Sequence, residues 1–529
     1  MIESAHINKP DSKQYFLPDL ADMLFLLILY LVLILKSNML LADGSTAWHL
    51  VCGNYILQHH QIPHNDLMSY TFAAKPWVAY EWLSDLFMAC LVKLGGLNLL
   101  NIVSGSAIAL LISLLYKRCR LNGCNFLLAA FLTITGAFVS AIHWLARPHL
   151  FTFFGVFIFI TLLDRYYHEL ISKRKIAIAL TCYMLIWVNC HPGFLLGFVL
   201  IGIYLVSCCL DYLFFADSQR KNIKREQGLF LLLLLALNMV ASLCNPYSYH
   251  LYSYISHYLL KSNIIIGATD EFLSPIFHGA LQPFLLELLF ALTIIGCVIS
   301  KRKMTLPTVL IYLLFAHLSL AAQRNMALYV IAALPIIAGL YTETEINSQT
   351  GFIYTKLKPI WQGFIDKFKT LDKRFTENEN LCSYHLLPKI VFLALVVISL
   401  NGGKVFGHTF LQSEFDKGSK PSTTLAVIKQ LGLDPKHGFA LDNWGGIIKY
   451  QIDYPVFIDD RADFYGEDFY FQYAKIIQTS PGWQQVLSKY QIEWILLPPG
   501  SRLIEELKAD SHWRMAAQDK ASVLLIKKS

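Results

Sequence analysis

The sequence predicts a polytopic α-helical membrane protein of about 11 spans, followed by a C-terminal extracytoplasmic α/β domain. Three observations predict this fold class: an apolar composition, a series of long apolar runs, and a polar tail. Of the 529 residues, 55% are hydrophobic and 15% are charged, whereas soluble domains carry about 25% charged residues. The mean hydropathy of +0.46 also excludes a disordered chain.

A span needs roughly 20 apolar residues, or fewer where neighbouring helices cover its ends. A shorter run at 83–94 contains Asp85 and Lys93 and is interpreted as interfacial. The predicted spans are 21–41, 99–116, 125–142, 150–167, 176–190, 194–215, 229–245, 283–300, 306–321, 326–341 and 389–402.

The loops between these runs differ strongly in positive charge. The loops on one side hold 23 Lys and Arg, and those on the other hold five. By the positive-inside rule, the N-terminus is cytoplasmic and the residues after 402 are extracytoplasmic. The first 20 residues lack the features of a cleaved signal peptide, so the first span is expected to be an uncleaved anchor. The net charge of +7 therefore reflects topology and does not indicate nucleic-acid binding.

The tail has a different composition from the rest of the chain. Residues 403–529 contain 15 basic and 15 acidic residues and no cysteine. Short β-like runs (GFALD, PVFID, IEWILLP and SVLLIKK) alternate with helical stretches at 466–478 and 483–490, which is typical of a small α/β domain. We therefore predict two domains, 1–402 and 403–529.

The predicted outer loops are rich in His, Trp, Asp and Asn, so the functional site is expected on the outer face. The first outer loop, 43–98, contains Asp43, Trp48, His49, Glu81 and Trp82. Asp43 alone could be a helix cap, and the tryptophans alone could be an interfacial aromatic belt. Their occurrence together, in a loop with few cations, favours a functional site.

Two arginines stand at predicted outer boundaries of the membrane. Arg147 lies between His143 and His149, and Arg324 lies between Gln323 and Asn325. Each could be a snorkelling anchor of a helix end. Each could equally bind phosphate, because a guanidinium group matches phosphate oxygens in a bidentate way.

Three further outer positions are ambiguous. His191 precedes a Pro-Gly turn that local geometry explains, and Asn245 opens an Asn-Pro-Tyr turn. Asp270 and Glu271 form an acidic pair that could be solvated, bind a sugar hydroxyl or bind a divalent cation.

Neither a zinc site nor a disulfide framework is indicated by the 11 cysteines. No P-loop, dinucleotide-binding or common hydrolase motif stands in a convincing context.

Taken together, these motifs resemble a large family of bacterial membrane proteins placed with the GT-C superfamily of polyprenyl-phosphate-sugar-dependent glycosyltransferases, relatives of the protein O-mannosyltransferases. The first outer loop matches at Asp43, His49, Leu50, Gly53, Ile62, Pro63, Asp66, Ser69, Pro76, Trp77, Glu81, Trp82 and Leu83. Later matches are 146–152, Asn189, His191, 242–243, 245–247, Glu271, Arg324, Asn325, 442–446, 457–463 and 465–466.

The resemblance covers nearly the whole chain apart from a cytoplasmic insertion at 342–388. Three positions depart from the family's usual pattern: 45, 47 and 460. Where the family often has Asp-Pro-Asp-Thr-Trp-Trp-His, this chain has Ser45 in place of the second acid and Ala47 in place of the first Trp. Asp460 occupies the middle of a motif that is more usually Asp-Gly-Arg.

The resemblance implies an inverting glycosyltransferase that moves a sugar from a polyprenyl-phosphate-linked donor to a glycan, lipid or protein acceptor. Asp43 is then expected to be the general base, and Arg147, with His149 or Arg324, to bind the donor phosphate. The expected sugar or acceptor contacts are Trp48, His49, Glu81, Trp82, His191, Asn245 and Glu271. Asn443, Trp444 and residues 459–463 of the tail are further acceptor contacts or structural residues.

The metal requirement and the function stay open at this stage. Mg²⁺ or Mn²⁺ could bind through Asp43 with Asp270 or Glu271, although no ligand spacing demands a metal. The alternative functions are a transporter or flippase for a lipid-linked or anionic substrate, and a catalytically inactive assembly factor, as Ser45 and Ala47 suggest. The expected location is the bacterial inner (cytoplasmic) membrane, with the tail outside the cytoplasm.

Overall fold

The computed structural model describes residues 17–215, 217–261, 270–342, 367, 369–381 and 384–528. The described residues before 401 are mostly helical. The helices of this part are α1 Leu20–Tyr30, α2 Ser45–His59, α3 Trp82–Leu121, α4 Phe126–Ser140, α5 His149–Tyr167, α6 Lys173–Trp187, α7 Leu195–Leu210, α8 Ser218–Ser242, α9 His250–Lys261, α10 Leu281–Ile299, α11 Leu306–Ala321, α12 Met326–Leu340, α13 Lys369–Leu381 and α14 Leu386–Leu400.

The helices confirm a membrane protein but leave the number of spans a prediction. Within the described residues, seven helices are long and apolar enough to cross a membrane, or eight if the bent pair Lys369–Leu381 and Leu386–Leu400 is one span. Leu20–Leu35 and Leu306–Ala321 are apolar but shorter. Each of the 11 predicted runs coincides with a helix, because a long apolar run in a membrane must satisfy its backbone internally.

The predicted interfacial run at 83–94 and the predicted span at 99–116 form one 40-residue helix, α3, with a break between them. Gly95 and Gly96 have non-helical backbone angles, and the φ of Gly96 is +65°, a conformation that favours glycine. Ser399 of α14 donates a hydrogen bond to the Gly95 carbonyl at 2.9 Å. The break therefore separates an arm of α3, which carries Glu81 at its beginning, from the apolar remainder.

The C-terminal region is an α/β fold, as predicted. Its sheet has the strand order β3-β4-β6-β5, with β3 parallel to β4 and the other neighbours antiparallel. The strands are β1 Lys404–Val405, β2 His408–Thr409, β3 Gly438–Ala440, β4 Trp494–Leu497, β5 Trp513–Gln518 and β6 Val523–Lys527. The helices are α15 Thr423–Gln430, α16 Gly445–Ile452, α17 Ala462–Tyr465, α18 Glu467–Ile477, α19 Trp483–Lys489 and α20 Arg502–Ala509.

Two details of the predicted tail were wrong. The run PVFID is no strand of this sheet; Val456 instead forms an isolated parallel bridge with Ser69 of the first outer loop. Strand β5 was not predicted, because it is a partly exposed edge strand whose polar and apolar residues do not alternate regularly. The local pattern of PVFID indicates an extended segment but contains no information on its partner.

The first outer loop and the C-terminal region share one hydrophobic core. Trp48 and Trp77 from the loop pack in the same buried cluster as Phe457, Ile458 and Phe464. Backbone hydrogen bonds join the two regions as well, from the Tyr70 amide to the Val456 carbonyl and from the Val456 amide to the Met68 carbonyl. The boundary at 402/403 thus stays a prediction, and the tail is held firmly against the first loop.

The predicted cytoplasmic insertion at 342–388 lies largely outside the described residues. Its described helix α13 is tied to α3, since Arg120 forms ion pairs with Asp372 at 3.0 Å and Glu379 at 2.9 Å.

Candidate functional site

The site forms where the first outer loop meets the turn between α4 and α5. Asp43 follows a short 3₁₀ turn, Met39–Leu41, and directly precedes α2. The Arg147 Nη1 atom lies 2.9 Å from the Asp43 Oδ2 atom. Two residues that are more than 100 positions apart, and that were predicted to serve base and phosphate-binding roles, are therefore ion-paired.

Glu271 joins both predicted phosphate-binding arginines. Its carboxylate lies 3.5 Å from Arg147 Nη1 and 3.4 Å from Arg324 Nη1. The Arg324 guanidinium also packs over the Phe272 ring, with its carbon 4.1 Å from the ring centroid. Two cationic forks that flank one carboxylate form a place where an anion with several oxygens could bind.

Asp460 reaches the same cluster from the C-terminal region, and sequence reasoning did not assign it a catalytic role. The Ser45 hydroxyl donates a hydrogen bond to Asp460 Oδ2, while Asp460 Oδ1 is buried without a hydrogen-bond partner in the described structure. Burial raises the pKa of Asp460 to about 8, and the negative charges of Asp43 and Asp459 add to this effect. The hydrogen bond from Ser45 and the charge of Arg147 act in the opposite direction. The only sequence signal for this contact was that Ser45 and Asp460 are among the positions where the chain departs from the family that it resembles.

Four carboxylates act on the charge of Arg147. Burial by itself lowers its pKa, but the carboxylates of Asp43, Glu271, Asp460 and Glu81 outweigh burial and raise the pKa above its usual value. The guanidinium group is therefore permanently charged, which a phosphate ligand requires.

Lys420, from the C-terminal region, is a further cation near this cluster. Its side chain is 5% exposed. Burial lowers its pKa, and the nearby carboxylates of Asp43 and Asp460 partly restore it. No pattern in the sequence singled out this lysine.

Close backbone contact holds the two regions together at the site. A Cβ atom on Gly44 would stand 1.8 Å from the Asn443 carbonyl oxygen, and one on Gly446 would stand 2.8 Å from the Trp48 amide nitrogen. Glycine is required at both positions because any side chain would separate α2 from α16. This contact aligns Asp43 and Ser45 with the segment that contains Asp460.

Glu81 and His191 form a neighbouring pair. The Gly193 amide donates to His191 Nδ1 at 3.0 Å, so the proton of a neutral ring resides on Nε2. That Nε2 atom lies 3.8 Å from Glu81 Oε1. Burial raises the pKa of Glu81 to about 8, the charges of Arg147 and Arg324 oppose the increase, and Asp463 adds to it.

Several predicted contacts use their polar atoms within the fold. The buried His49 ring bonds Asp85 at 2.7 Å, and His149 Nε2 contacts the His143 carbonyl at 3.0 Å. The Trp82 indole donates to the Asn189 side chain at 2.9 Å. These bonds orient the walls of the site, and direct contacts of these residues with ligand stay predictions.

Trp48 and Asn245 also have evident structural roles. Trp48 is 7% exposed and packs edge-on against Trp77, with ring centroids 6.1 Å apart. The Asn245 amide donates to the Ser242 and Ser248 carbonyls, and its oxygen accepts from the Tyr247 amide, so it stabilises its own turn.

The predicted metal ligands, Asp43 with Asp270 or Glu271, stay a prediction. Among the described residues, the group with suitable spacing is Asp19, Asp22 and His385. This group lies beside the N-terminus of α1, at the opposite end of the first helix from Asp43. It could hold a metal ion, but it is remote from the arginine cluster.

Comparison with solved structures identifies the architecture. The apo oligosaccharyltransferase of Archaeoglobus fulgidus superposes with a TM-score of 0.54 at 11% sequence identity, over 90% of this chain and 69% of that chain. The same enzyme tethered to an acceptor peptide with the NVT sequon gives a TM-score of 0.53 at 12% identity, over 90% and 68%. The chain has the GT-C fold.

No protein-family model matches the sequence, and no curated protein matches it. At 11–12% identity the structural similarity extends to the fold alone. The relation to the protein O-mannosyltransferases therefore stays a prediction.

Proposed function

We propose that this protein is an inverting GT-C-type glycosyltransferase that moves a sugar from a polyprenyl-phosphate-linked donor to an acceptor. The reaction takes place at the outer face of the bacterial inner membrane, as part of cell-envelope synthesis. The observation that carries this proposal is the cluster of Asp43, Arg147, Glu271 and Arg324 at one end of the helices in a GT-C fold.

The two arginines bind the donor phosphate. Glu271 lies between them, and phosphate oxygens compete with its carboxylate for the same N–H groups. When the sugar leaves, negative charge builds up on the phosphate, and a preorganised guanidinium group stabilises that charge more than it stabilises the ground state. A lipid-linked donor needs no nucleotide-binding domain, in agreement with the missing dinucleotide and P-loop motifs.

Asp43 belongs to the general base that accepts the proton of the attacking acceptor group. Direct displacement at the anomeric carbon then inverts its configuration. Glu81, Trp82 and His191 lie along the adjoining wall, where carboxylate and ring nitrogen atoms can hydrogen-bond sugar hydroxyls. The arginine pair supplies the positive charge for the leaving phosphate, so Mg²⁺ or Mn²⁺ is not part of the proposed reaction.

The test is a transfer assay on the full chain in lipid nanodiscs. The donors are undecaprenyl-phosphate glucose, mannose and galactose, the acceptor is an envelope extract, and release of undecaprenyl phosphate is measured. We expect the wild type to turn over at least one donor, and Arg147→Gln to lower kcat by about 10²–10³-fold. Arg165→Gln is the matched control, because Arg165 lies at the far end of α5 and should leave the rate unchanged.

Two results would contradict the proposal. One is donor movement across the bilayer without release of undecaprenyl phosphate, which would indicate a flippase. The other is wild-type release no faster than that of Arg147→Gln, which would indicate an inactive relative.

A further inference from the structure

We infer that Asp460 of the C-terminal region is a second catalytic carboxylate, which pairs with Asp43 and takes up the proton that the acceptor hydroxyl loses. This inference rests on the proposed glycosyl transfer and assigns a chemical role to a residue outside the first outer loop. It makes the C-terminal region a part of the catalytic centre.

Asp460 contacts the first outer loop beside Asp43, whereas its two neighbours bind each other. Asp459 and Arg461 bind each other inside the C-terminal region, at 2.7–2.8 Å. Asp460, between them, faces α2 and accepts the hydrogen bond from Ser45, two positions after Asp43. Its second oxygen is buried and has no hydrogen-bond partner among the described residues. That oxygen therefore has an unused position for accepting a hydrogen bond, which we assign to the acceptor hydroxyl.

Asp43 and Asp460 differ in their ion pairs. The Asp43 Oδ2 atom lies 2.9 Å from Arg147 Nη1, so this side of the Asp43 carboxylate faces a cation. Asp460 has no such partner within ion-pair distance among the described residues, and its pKa of about 8 is close to physiological pH. A catalytic group works best when its pKa lies near the operating pH.

Charged groups of both signs act on Asp460. Asp43 and Asp459 are carboxylates that favour its protonation, and Arg147 favours its ionisation. Lys420, from the segment before α15, is a further cation that interacts with both Asp43 and Asp460. Asp460 therefore exchanges a proton near its pKa of about 8, and its ionised form is the one that takes the proton from the acceptor.

The reaction balances with this pair. The acceptor O–H bond breaks as its oxygen forms the new bond to the anomeric carbon, and the proton moves to the ionised Asp460. The bond from the anomeric carbon to the phosphate oxygen breaks, and its electron pair leaves with the phosphate beside Arg147. Asp43 holds Arg147 in place and, through its negative charge, raises the proton affinity of Asp460.

The contact between Ser45 and Asp460 also permits an exchange of the acid between two positions. Since the Ser45 hydroxyl touches the Asp460 carboxylate, a carboxylate at position 45 would stand beside the place that the Asp460 carboxylate occupies.

The first test uses the transfer assay, with kcat and KM measured separately as a function of pH. We expect Asp460→Asn to lower kcat by about 10²–10⁴-fold with little change in KM, and to abolish the wild-type rise in kcat near pH 8. Asp453→Asn is the matched control, since Asp453 is an exposed carboxylate of the same region whose partner is Lys449. Asp460→Gly should be as impaired as Asp460→Asn, and adding Ser45→Asp to Asp460→Gly should recover at least tenfold.

A second measurement does not depend on activity. Infrared difference spectra between about pH 6 and pH 9 should contain the band of a protonated carboxyl group that is lost in Asp460→Asn and kept in Asp453→Asn. A wild-type spectrum without an Asp460-dependent band would overturn the inference, whatever the enzyme does. Normal kcat and an unchanged pH profile in Asp460→Asn would also overturn it, while leaving glycosyl transfer intact. Absence of wild-type transfer, with the infrared band present, would instead contradict the proposed function.

Discussion

Asp459 and Asp460 are neighbours in the segment 459–461, but their carboxylates have opposite environments. Both oxygens of Asp459 are occupied: Oδ1 accepts from the Arg461 amide and Nε, and Oδ2 accepts from Arg461 Nη2 and the Tyr465 hydroxyl. Arg461 Nη2 also reaches Asp66 of the first outer loop, at 2.6 Å. Asp460 has one hydrogen bond to Ser45 and one buried oxygen without a partner.

The difference separates a structural role, that of Asp459 and Arg461, from the chemical role proposed for Asp460. A buried ion network whose members are hydrogen-bonded specifies one arrangement, here the docking of the C-terminal region on the first loop. A buried carboxylate with an open oxygen has a free-energy cost and retains the capacity to exchange a proton. The hydrogen bonds of Asp459 and Arg461 therefore join the C-terminal region to the first loop, whereas Asp460 keeps a buried oxygen without a partner among the described residues, as the proposed proton transfer requires.

Breaking the docking network should have the largest effect. Arg461→Met removes the cation that binds two buried carboxylates, Asp459 and Asp66, and leaves both uncompensated. Loss of one partner of a buried ion pair costs about 3–5 kcal/mol. We expect faster proteolysis of the C-terminal region and a lower midpoint of denaturant unfolding. Arg502→Met, at an exposed position, should behave like the wild type, and equal stability of the two variants would contradict a docking role.

Forcing the two regions apart should have a smaller effect on stability. Gly44→Ala places a methyl group 1.8 Å from the Asn443 carbonyl, so α2 must move away from α16. Overpacking of this kind costs about 1–3 kcal/mol. Transfer activity should fall as well, because Ser45 would no longer touch Asp460. Gly202→Ala is the control, since no atom lies within 4 Å of the added Cβ; a loss of activity in both variants would show that the effect is not local.

The smallest expected effect is the contribution of Asp460 to the pH dependence of the free energy of unfolding. The pKa of Asp460 rises from 3.8 to about 8 on folding, so the folded chain binds a proton that the unfolded chain does not bind between these values. Its contribution to stability is therefore greatest at low pH and is lost as the pH rises through about 8. Asp460→Asn has no charge to bury and should lack this loss.

Thermal unfolding of both chains between about pH 5 and pH 9 measures this contribution. The stability of Asp460→Asn relative to the wild type should increase with pH, and other titrating groups cancel in the difference. A constant difference between the two chains across this range would show that Asp460 is ionised throughout.

The sequence predicted the parts of this protein that depend on local pattern. Each apolar run coincides with a helix because a membrane leaves a long apolar segment few other ways to satisfy its backbone. Strands β3, β4 and β6 followed from short apolar runs, and the residue types at Asp43, Arg147 and Arg324 indicated chemistry at the outer loops. The placement of Glu271 between the two arginines, by contrast, depends on how α5, α10 and α12 pack.

The amino-acid sequence alone thus determined the helical membrane fold, the α/β tail and the set of polar side chains that stand at the helix ends. Only the tertiary structure decided which of those side chains meet. Asp460 and Ser45 are 415 residues apart, and Val456 pairs with the first loop instead of with its own sheet. The physical reason is that periodicity and composition act over one or two helical turns, whereas the acid pair arises from close packing between two distant segments, which glycine at 44 and 446 permits.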